Sequence, residues 1–327
     1  MVCGILGIVI AEVIATYGRH LLVRDATGTQ YKARPLGRKL EIVCGDQVNC
    51  ELHNGEVLVS GTLPRATFLR RSTLRGRSEP LAANLSQLAV VLAPVPAPDL
   101  FLLDRYLCAA ECAGLAGLIV ANKSDLPDAD DLARSLEPLA ALGYPVIAVN
   151  ARARQPSDAD DPVAAGNPSH GGLQPLREAL RDGTTILVGQ SGVGKSSITR
   201  QLCNDAADIA IGELMRDEEG RHTTTASRLY DCDGGGRLMD SPGVRDFAPA
   251  IDDLEPATLG FREVATLAPR CRFQDCLHMH EPACAVRAAV EAGAMDARRY
   301  ESYRRLRRLH EQLWQQRPEK ERAARPR

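Results

Sequence analysis

The chain has almost no net charge: 40 Lys and Arg against 42 Asp and Glu leave a formal −2. No global field draws it onto nucleic acid, so any such contact must come from local patches. It also lacks an apolar run long enough to span a bilayer, and no membrane contact is expected. The apolar stretch from Met1 to Ile14 has no basic lead-in and contains Glu12, so it does not read as a secretory signal. No dimer seam is visible, and a monomer is expected. Without export, the 10 cysteines read as core thiols or metal ligands of a reduced, cytoplasmic protein. What remains is an ordinary soluble composition. With 44% hydrophobic residues in 327, a sizeable core and two or three domains are available.

The stretch around which the chain is organised is GTTILVGQSGVGKSS, from Gly183 to Ser197. Thr185 to Val188 reads as a short buried strand. Gly189, Gln190, Ser191, Gly192, Val193, Gly194, Lys195 and Ser196 then fit G-x-x-x-x-G-K-[ST], with Ser197 following. Glycines in this pattern turn backbone N–H groups around phosphate oxygens, and the helix from Lys195 adds its positive end. Lys195 is expected on the β- and γ-phosphates and Ser196 on Mg²⁺.

Residues 1 to about 75 read as all-β. Short strands are expected at 5–10, 20–23, 30–33, 41–43 and 56–59, with turns at Asp25 to Gly28, Gly45-Asp46 and Asn54-Gly55. Five short strands suggest a small barrel of the OB type, and an SH3-like barrel would read similarly. Arg65, Arg70, Arg71, Arg75 and Arg77 follow as a basic run, either a phosphate contact or a solvated connector.

From Leu85 strands and helices alternate. Leu88 to Ala93 and Leu115 to Ala121 are strands apolar on both faces, with a helix over Asp99 to Ala113 between them. Cys108 and Cys112 on that helix read as buried thiols. The second strand runs into Asn122-Lys123-Ser124-Asp125, an N-K-x-D pattern. Asp125 would accept from guanine N1–H and its N2 amino group. Adenine would leave that carboxylate unpaired, which discriminates strongly. Asn122 and Lys123 would brace the loop and cover the base. After a helix over Asp130 to Leu142 and a strand over Pro145 to Val149 comes Asn150-Ala151, where the Ala151 N–H would meet guanine O6. Gln155 to Gly172 reads as a flexible surface loop, and Leu173 to Asp182 as the helix leading into the P-loop strand.

Past the P-loop, Gly220-Arg221-His222-Thr223-Thr224-Thr225 has the place of switch I. Thr225, then Thr224, is favoured to complete the Mg²⁺ shell. Asp240-Ser241-Pro242-Gly243 is a D-x-x-G, with Asp240 toward Mg²⁺ and the Gly243 N–H toward the γ-phosphate. Val244 follows, and valine cannot orient a water. His222 is the nearest ionisable candidate for that role; a packing or capping role is the alternative. The base-reading motif precedes the P-loop, the reverse of the usual order, so the domain reads as circularly permuted.

Cys271-x4-Cys276-x-His278-x5-Cys284 supplies three thiolates and an imidazole, a closed shell for one structural Zn²⁺, with His280 a rival to His278. From Arg298 on, eleven Lys and Arg face four Asp and Glu, and 295–316 reads as a basic helix suited to a phosphate backbone.

NKSD ahead of GQSGVGKSS, then GRHTTT, DSPGV and the cysteine–histidine cluster, together resemble the small ribosomal subunit biogenesis GTPases, the RsgA/YjeQ family. The resemblance covers nearly the whole chain. It implies a multidomain protein: an all-β OB-type barrel over 1–78 that contacts RNA, a circularly permuted α/β P-loop GTPase domain over 79–262, and a mostly α zinc-binding module over 263–327. It implies Mg²⁺-dependent hydrolysis of GTP to GDP. It also implies binding to the small ribosomal subunit and its 16S rRNA late in maturation, with hydrolysis stimulated there. The competing readings are a nucleotide-gated RNA-binding module with incidental hydrolysis and a zinc-handling GTPase.

Overall fold

In the computed structural model, which describes residues 9–18, 20–37, 40–72, 78–152, 172–203, 227–240, 250–251 and 254–316, the first five strands close on themselves. They are β1 (Val9–Tyr17), β2 (His20–Asp25), β3 (Gln30–Pro35), β4 (Gln47–His53) and β5 (Glu56–Thr62). β1–β2, β2–β3, β5–β4 and β4–β1 are antiparallel, while β3 runs parallel to β5. The ring 1-2-3-5-4-1 is a closed five-stranded barrel of OB type. Alternation sends Val13, Val23, Ala33, Val48 and Val59 to its interior. A register shift between Val13 and Ala15 lets β1 serve both β4 and β2. Asn54 and Gly55, at φ 52° and 84°, make the turn their sequence predicts.

Two expected strands move. The first runs over Val9–Tyr17 instead of 5–10, whose residues 5–8 lie outside the described ones. Residues 41–43 are not a strand, and the fourth strand is Gln47–His53. The cause is the fully buried Asp46. Its carboxylate accepts the Val43 N–H at 2.9 Å and the Arg65 guanidinium at 2.7 Å, which folds this segment into a turn. Gly45 (φ 90°) completes it, where an added Cβ would lie 2.1 Å from Ala83 O.

The described part of the basic run is not an open connector. β6 (Phe68–Ser72) pairs with β7 (Ser78–Ala83). Arg65 serves Asp46, Arg70 donates to Ser78 Oγ at 2.7 Å, and Arg71 pairs with Glu79 at 3.3 Å. Arg75 and Arg77 lie outside the described residues.

The central sheet comprises β8 (Gln87–Leu92), β9 (Ala116–Ala121), β10 (Val146–Ala148), β11 (Thr184–Val188), β12 (Ser227–Asp231) and β13 (Arg237–Asp240). Its order is β10-β9-β8-β11-β13-β12, and β12 pairs with β1, so barrel and sheet are one hydrogen-bonded surface. All but β12 are parallel. Parallel strands need helices on both faces. Leu88, Val90, Ile119 and Ile186 pack under α1 (Leu100–Cys112) and α2 (Ala129–Ala141). Ala89, Val91, Leu118 and Leu187 pack under α3 (Gln174–Leu180) and α4 (Lys195–Leu202). Successive β8 side chains alternate between the two cores, as a period of two requires.

The C-terminal module holds α5 (Arg262–Leu267), α6 (Ala285–Glu291) and α7 (Ala297–Gln316). Phe261, Val264, Val286, Met295, Tyr303 and Leu306 form its core, against Cys108 and Ala109 of α1. The basic helix is less exposed than its composition implies. Arg299 is 1% exposed, pairing with Asp104 of α1 at 2.7 Å and Glu263 of α5 at 2.7 Å. Arg307 is buried too and donates to Pro256 O at 2.6 Å. Among the described residues no helix is long and apolar enough to cross a membrane.

Candidate nucleotide-binding site and metal centre

Chain connectivity places a crevice before any side chain is considered. β8 continues through α1 to β9 on one side, while its other neighbour is β11. Such a reversal opens a crevice at the carboxyl ends of the two strands. The P-loop leaves β11 there, NKSD leaves β9, Asn150 and Ala151 follow β10, and Asp240 ends β13. Four separated motifs thus converge on one sheet edge.

Two glycines of the P-loop are obligatory. Gly189 has φ 135°, and a Cβ would stand 2.2 Å from Val91 O. Gly194, at φ 102°, is the residue before α4, and a Cβ would stand 2.2 Å from Asn122 Nδ2. The Lys195 ammonium lies inside the loop, donating to Gly189 O at 2.5 Å and Gln190 O at 2.7 Å. Gln190 ties the loop to the segment after β8: its amide donates to Ala97 O at 3.2 Å and accepts the Asp99 N–H at 3.0 Å. Asp99 in turn caps α1 by accepting the Leu102 N–H at 2.9 Å.

NKSD is bonded directly to this loop. Asn122 donates to Val193 O at 2.8 Å and accepts the Ala151 N–H at 3.1 Å. Lys123, at φ 60°, donates to Val95 O at 2.6 Å and Gly192 O at 2.8 Å. These two residues therefore tie the N-K-x-D loop to the P-loop and to the segment after β8. Ser124 donates its N–H to Val149 O at 3.2 Å, while its buried hydroxyl has no hydrogen-bond partner. Asp125 stands exposed on the same loop. The Ala151 N–H, expected on guanine O6, points to Asn122 here, and its carbonyl accepts from Gln201. A cleft of about 270 Å³ runs from Ser191 and Ser196 to Asn150 and Arg152. Sequence reasoning missed Arg152, which follows Ala151 in a segment whose only signal is its position after β10.

Ser196 is exposed on the first turn of α4, and Asp240 lies on the strand beside β11. Both offer oxygen, the donor a hard cation such as Mg²⁺ takes. His222, Thr224, Thr225 and Gly243 lie outside the described residues.

The second centre is closed. Ligand atoms of Cys271, Cys276, His278 and Cys284 lie within 4.8 Å of one another. His278 Nδ1 is 3.5 Å from both Cys271 Sγ and Cys284 Sγ, and these two sulfurs are 4.0 Å apart. Tetrahedral Zn²⁺ with bonds of about 2.3 Å to sulfur and about 2.0 Å to nitrogen sets such edges near ~3.8 and ~3.5 Å. Burial pushes the Cys276 thiol up to about 12, so its thiolate needs a cation. Burial and Arg307 lower His278, which keeps the imidazole neutral and able to ligate. His280, the rival ligand, is exposed and outside the cluster. The loop is held by Tyr300 and Tyr303, whose hydroxyls donate to His278 O at 2.7 Å and Leu277 O at 2.9 Å. Glu281 accepts from the N–H groups of Leu277, Met279 and His280. Burial would raise its carboxyl, but these backbone bonds outweigh burial and hold it at about 2.

A family model described as RsgA GTPase matches residues 62–159 and 159–249. The small ribosomal subunit biogenesis GTPase RsgA of Chromohalobacter salexigens is 39% identical over 305 residues, covering 91% of this chain and 85% of its own. Its namesake from Neisseria meningitidis serogroup B is 38% identical over 293 residues, covering 88% of each. Among solved structures, YjeQ from Thermotoga maritima aligns with TM-score 0.68 and 28% identity, over 92% of this chain and 98% of that one. YloQ, described as a circularly permuted GTPase, aligns with TM-score 0.65 and 24% identity, over 95% and 97%, and speaks to the fold.

Proposed function

The chain belongs to the RsgA GTPase family, and from that premise we propose that it docks on the small ribosomal subunit late in maturation, contacts its 16S rRNA, and is released by GTP hydrolysis. It is a GTPase, converting GTP to GDP and phosphate. The observation that carries the reading is the direct bonding of NKSD to the P-loop: Asn122 to Val193 O and Lys123 to Gly192 O. Base-reading and phosphate-binding halves are thereby fixed relative to one another.

Lys195 exchanges its two loop carbonyls for β- and γ-phosphate oxygens, while the N–H groups of Gly192 to Ser196 bind the remainder. Asp125 takes guanine N1–H and the N2 amino group, and the buried Ala151 segment closes the far side. Ser196, Asp240 and Thr225 would hold Mg²⁺, with Thr224 the alternate; the ion neutralises phosphate charge when bound. His222 positions the attacking water, because Val244 cannot. Cys271, Cys276, His278 and Cys284 would hold one Zn²⁺ that organises the module. Their closed arrangement, buried at all but Cys271, leaves no open position and speaks against a zinc-handling role. The division into a barrel over 1–78, a GTPase domain over 79–262 and a module over 263–327 belongs to the same proposal. So do a monomeric state and a cytoplasmic location.

The test is GTP turnover of the full chain, alone and with isolated small subunits, beside Lys195→Ala. Strong stimulation that disappears in the variant supports the proposal. Turnover that subunits leave unmoved overturns it.

A further inference from the structure

Away from both centres, two thiols face one another across the chain. Cys203 ends α4, and Cys232 follows β12. They form an isolated antiparallel bridge, and the Asp233 N–H donates to Leu202 O at 2.8 Å. That bond flanks the pair, so Cys203 and Cys232 are directly opposed as a non-hydrogen-bonded pair, their own N–H groups donating to Thr199 O and Gly236 O at 3.0 Å each. In this arrangement Cα atoms stand about 4.5 Å apart and side chains lean together. A disulfide spans Cα separations of about 4.4–6.8 Å. The two Sγ atoms are already 3.2 Å apart.

The juxtaposition is held from a third element. Arg177 of α3 donates to Gln201 O at 2.6 Å and Asp233 O at 3.2 Å, clamping the residues around both cysteines. Burial raises the thiols of Cys44, Cys50, Cys108 and Cys112. Cys232 goes the other way. The hydrogen bond from Cys203 lowers it and outweighs burial and the charges of Asp231 and Asp233, which oppose it; the Arg177 charge adds a smaller push downward. Cys203 is 3% exposed, whereas Cys232 is only partly buried and so reaches solvent. An accessible attacking thiol beside a sheltered resolving thiol is the arrangement of a redox pair.

We propose that Cys203 and Cys232 form a reversible disulfide, a modification site at which hydrogen peroxide links the end of the P-loop helix to the β12–β13 strand pair. The Cys232 thiolate attacks a peroxide oxygen. The O–O bond breaks, hydroxide leaves, and Cys232 becomes a sulfenic acid. The Cys203 thiol attacks that sulfur, the S–S bond forms, and the S–O oxygen leaves as water with the Cys203 proton. Hydroxide takes up the proton lost by Cys232, so two thiols are oxidised while one peroxide becomes two waters. A small dithiol reverses the link, ending as its own disulfide. The link ties the P-loop helix to the strand pair ending at Asp240, so hydrolysis slows.

The test exposes the zinc-loaded full chain to hydrogen peroxide, alkylates free thiols, and maps disulfides by peptide mass spectrometry. The expected product is a Cys203–Cys232 linked peptide that disappears with dithiothreitol. GTP turnover is expected to fall at least about fivefold and to return on reduction. Cys203→Ser should lose the link and retain a sulfenic acid on Cys232 that dimedone traps. Cys232→Ser should keep its turnover under peroxide. Absence of the linked peptide, or a link that leaves turnover unchanged, overturns the proposal. The peptide readout is independent of ribosomal subunits, so its failure is distinguishable from failure of subunit stimulation.

Discussion

The molecule contains two polar centres built on opposite plans. In the nucleotide cleft, cations rest on backbone carbonyls: Lys195 on Gly189 and Gln190, Lys123 on Val95 and Gly192. Asp125 and Ser196 face solvent. Contacts of this kind are readily exchanged for a phosphate or a base. In the C-terminal module the most deeply buried charges are already matched inside the protein. Arg299 is 1% exposed between Asp104 and Glu263, and Glu281 is saturated by backbone N–H groups. The first centre is arranged to be remade by a ligand, and the second to hold its shape. The contrast separates catalytic residues from architectural ones better than residue type does, since both centres are rich in charge.

The comparison breaks most visibly at Arg299. Arg299→Ala leaves the buried Glu263 without its counter-charge and Asp104 with Arg298 alone, and urea denaturation should show a loss of about 3–5 kcal/mol. An exposed pair would lose far less, so a loss under about 1 kcal/mol would remove Arg299 from the closed centre. Lys195→Ala should do the reverse. Hydrolysis should fall about 10²–10³-fold while the unfolding midpoint stays near wild type. Asp125→Ala comes next, with GTP binding weakened by about 1–3 kcal/mol and ATP binding left as it was. Equal weakening of both nucleotides by calorimetry would take guanine reading away from this residue.

The smallest effect is a pH dependence at Glu281. Its folded carboxyl sits at about 2, below the ordinary 4.5. A depressed carboxyl contributes stability above the ordinary value and loses it as pH falls from 4.5 toward 2. Wild type should therefore converge on Glu281→Gln in stability across that window. Thiol protonation is common to both proteins and cancels in the difference. A gap that stays constant with pH would show that the carboxylate charge does not matter.

The open centre was largely legible in the sequence, because its residues act through local backbone patterns. A P-loop needs glycines at fixed places, and Gly189 and Gly194 occupy them for the steric reasons the structure displays. The zinc cluster was legible for a similar reason, since all four ligands fall between Cys271 and Cys284. What escaped was set by partners distant in sequence. Residues 41–43 look like a strand until Asp46 turns them toward Arg65. The arginines around β6 hide a hairpin because their partners, Ser78 and Glu79, sit on β7. The basic helix reads as one exposed surface, yet Asp104, nearly two hundred positions earlier, draws Arg299 inward. No local pattern announces a buried arginine whose counter-charges come from two other helices.

The division into an exchangeable and a closed centre is tested most directly by hydrogen–deuterium exchange of the zinc-loaded full chain, with and without a magnesium-bound, non-hydrolysable GTP analogue. Exchange should slow at least about tenfold in 122–125, 149–152 and 189–202 and stay unchanged in 271–284 and 297–316. Protection of the metal cluster as strong as that of the P-loop would contradict the division.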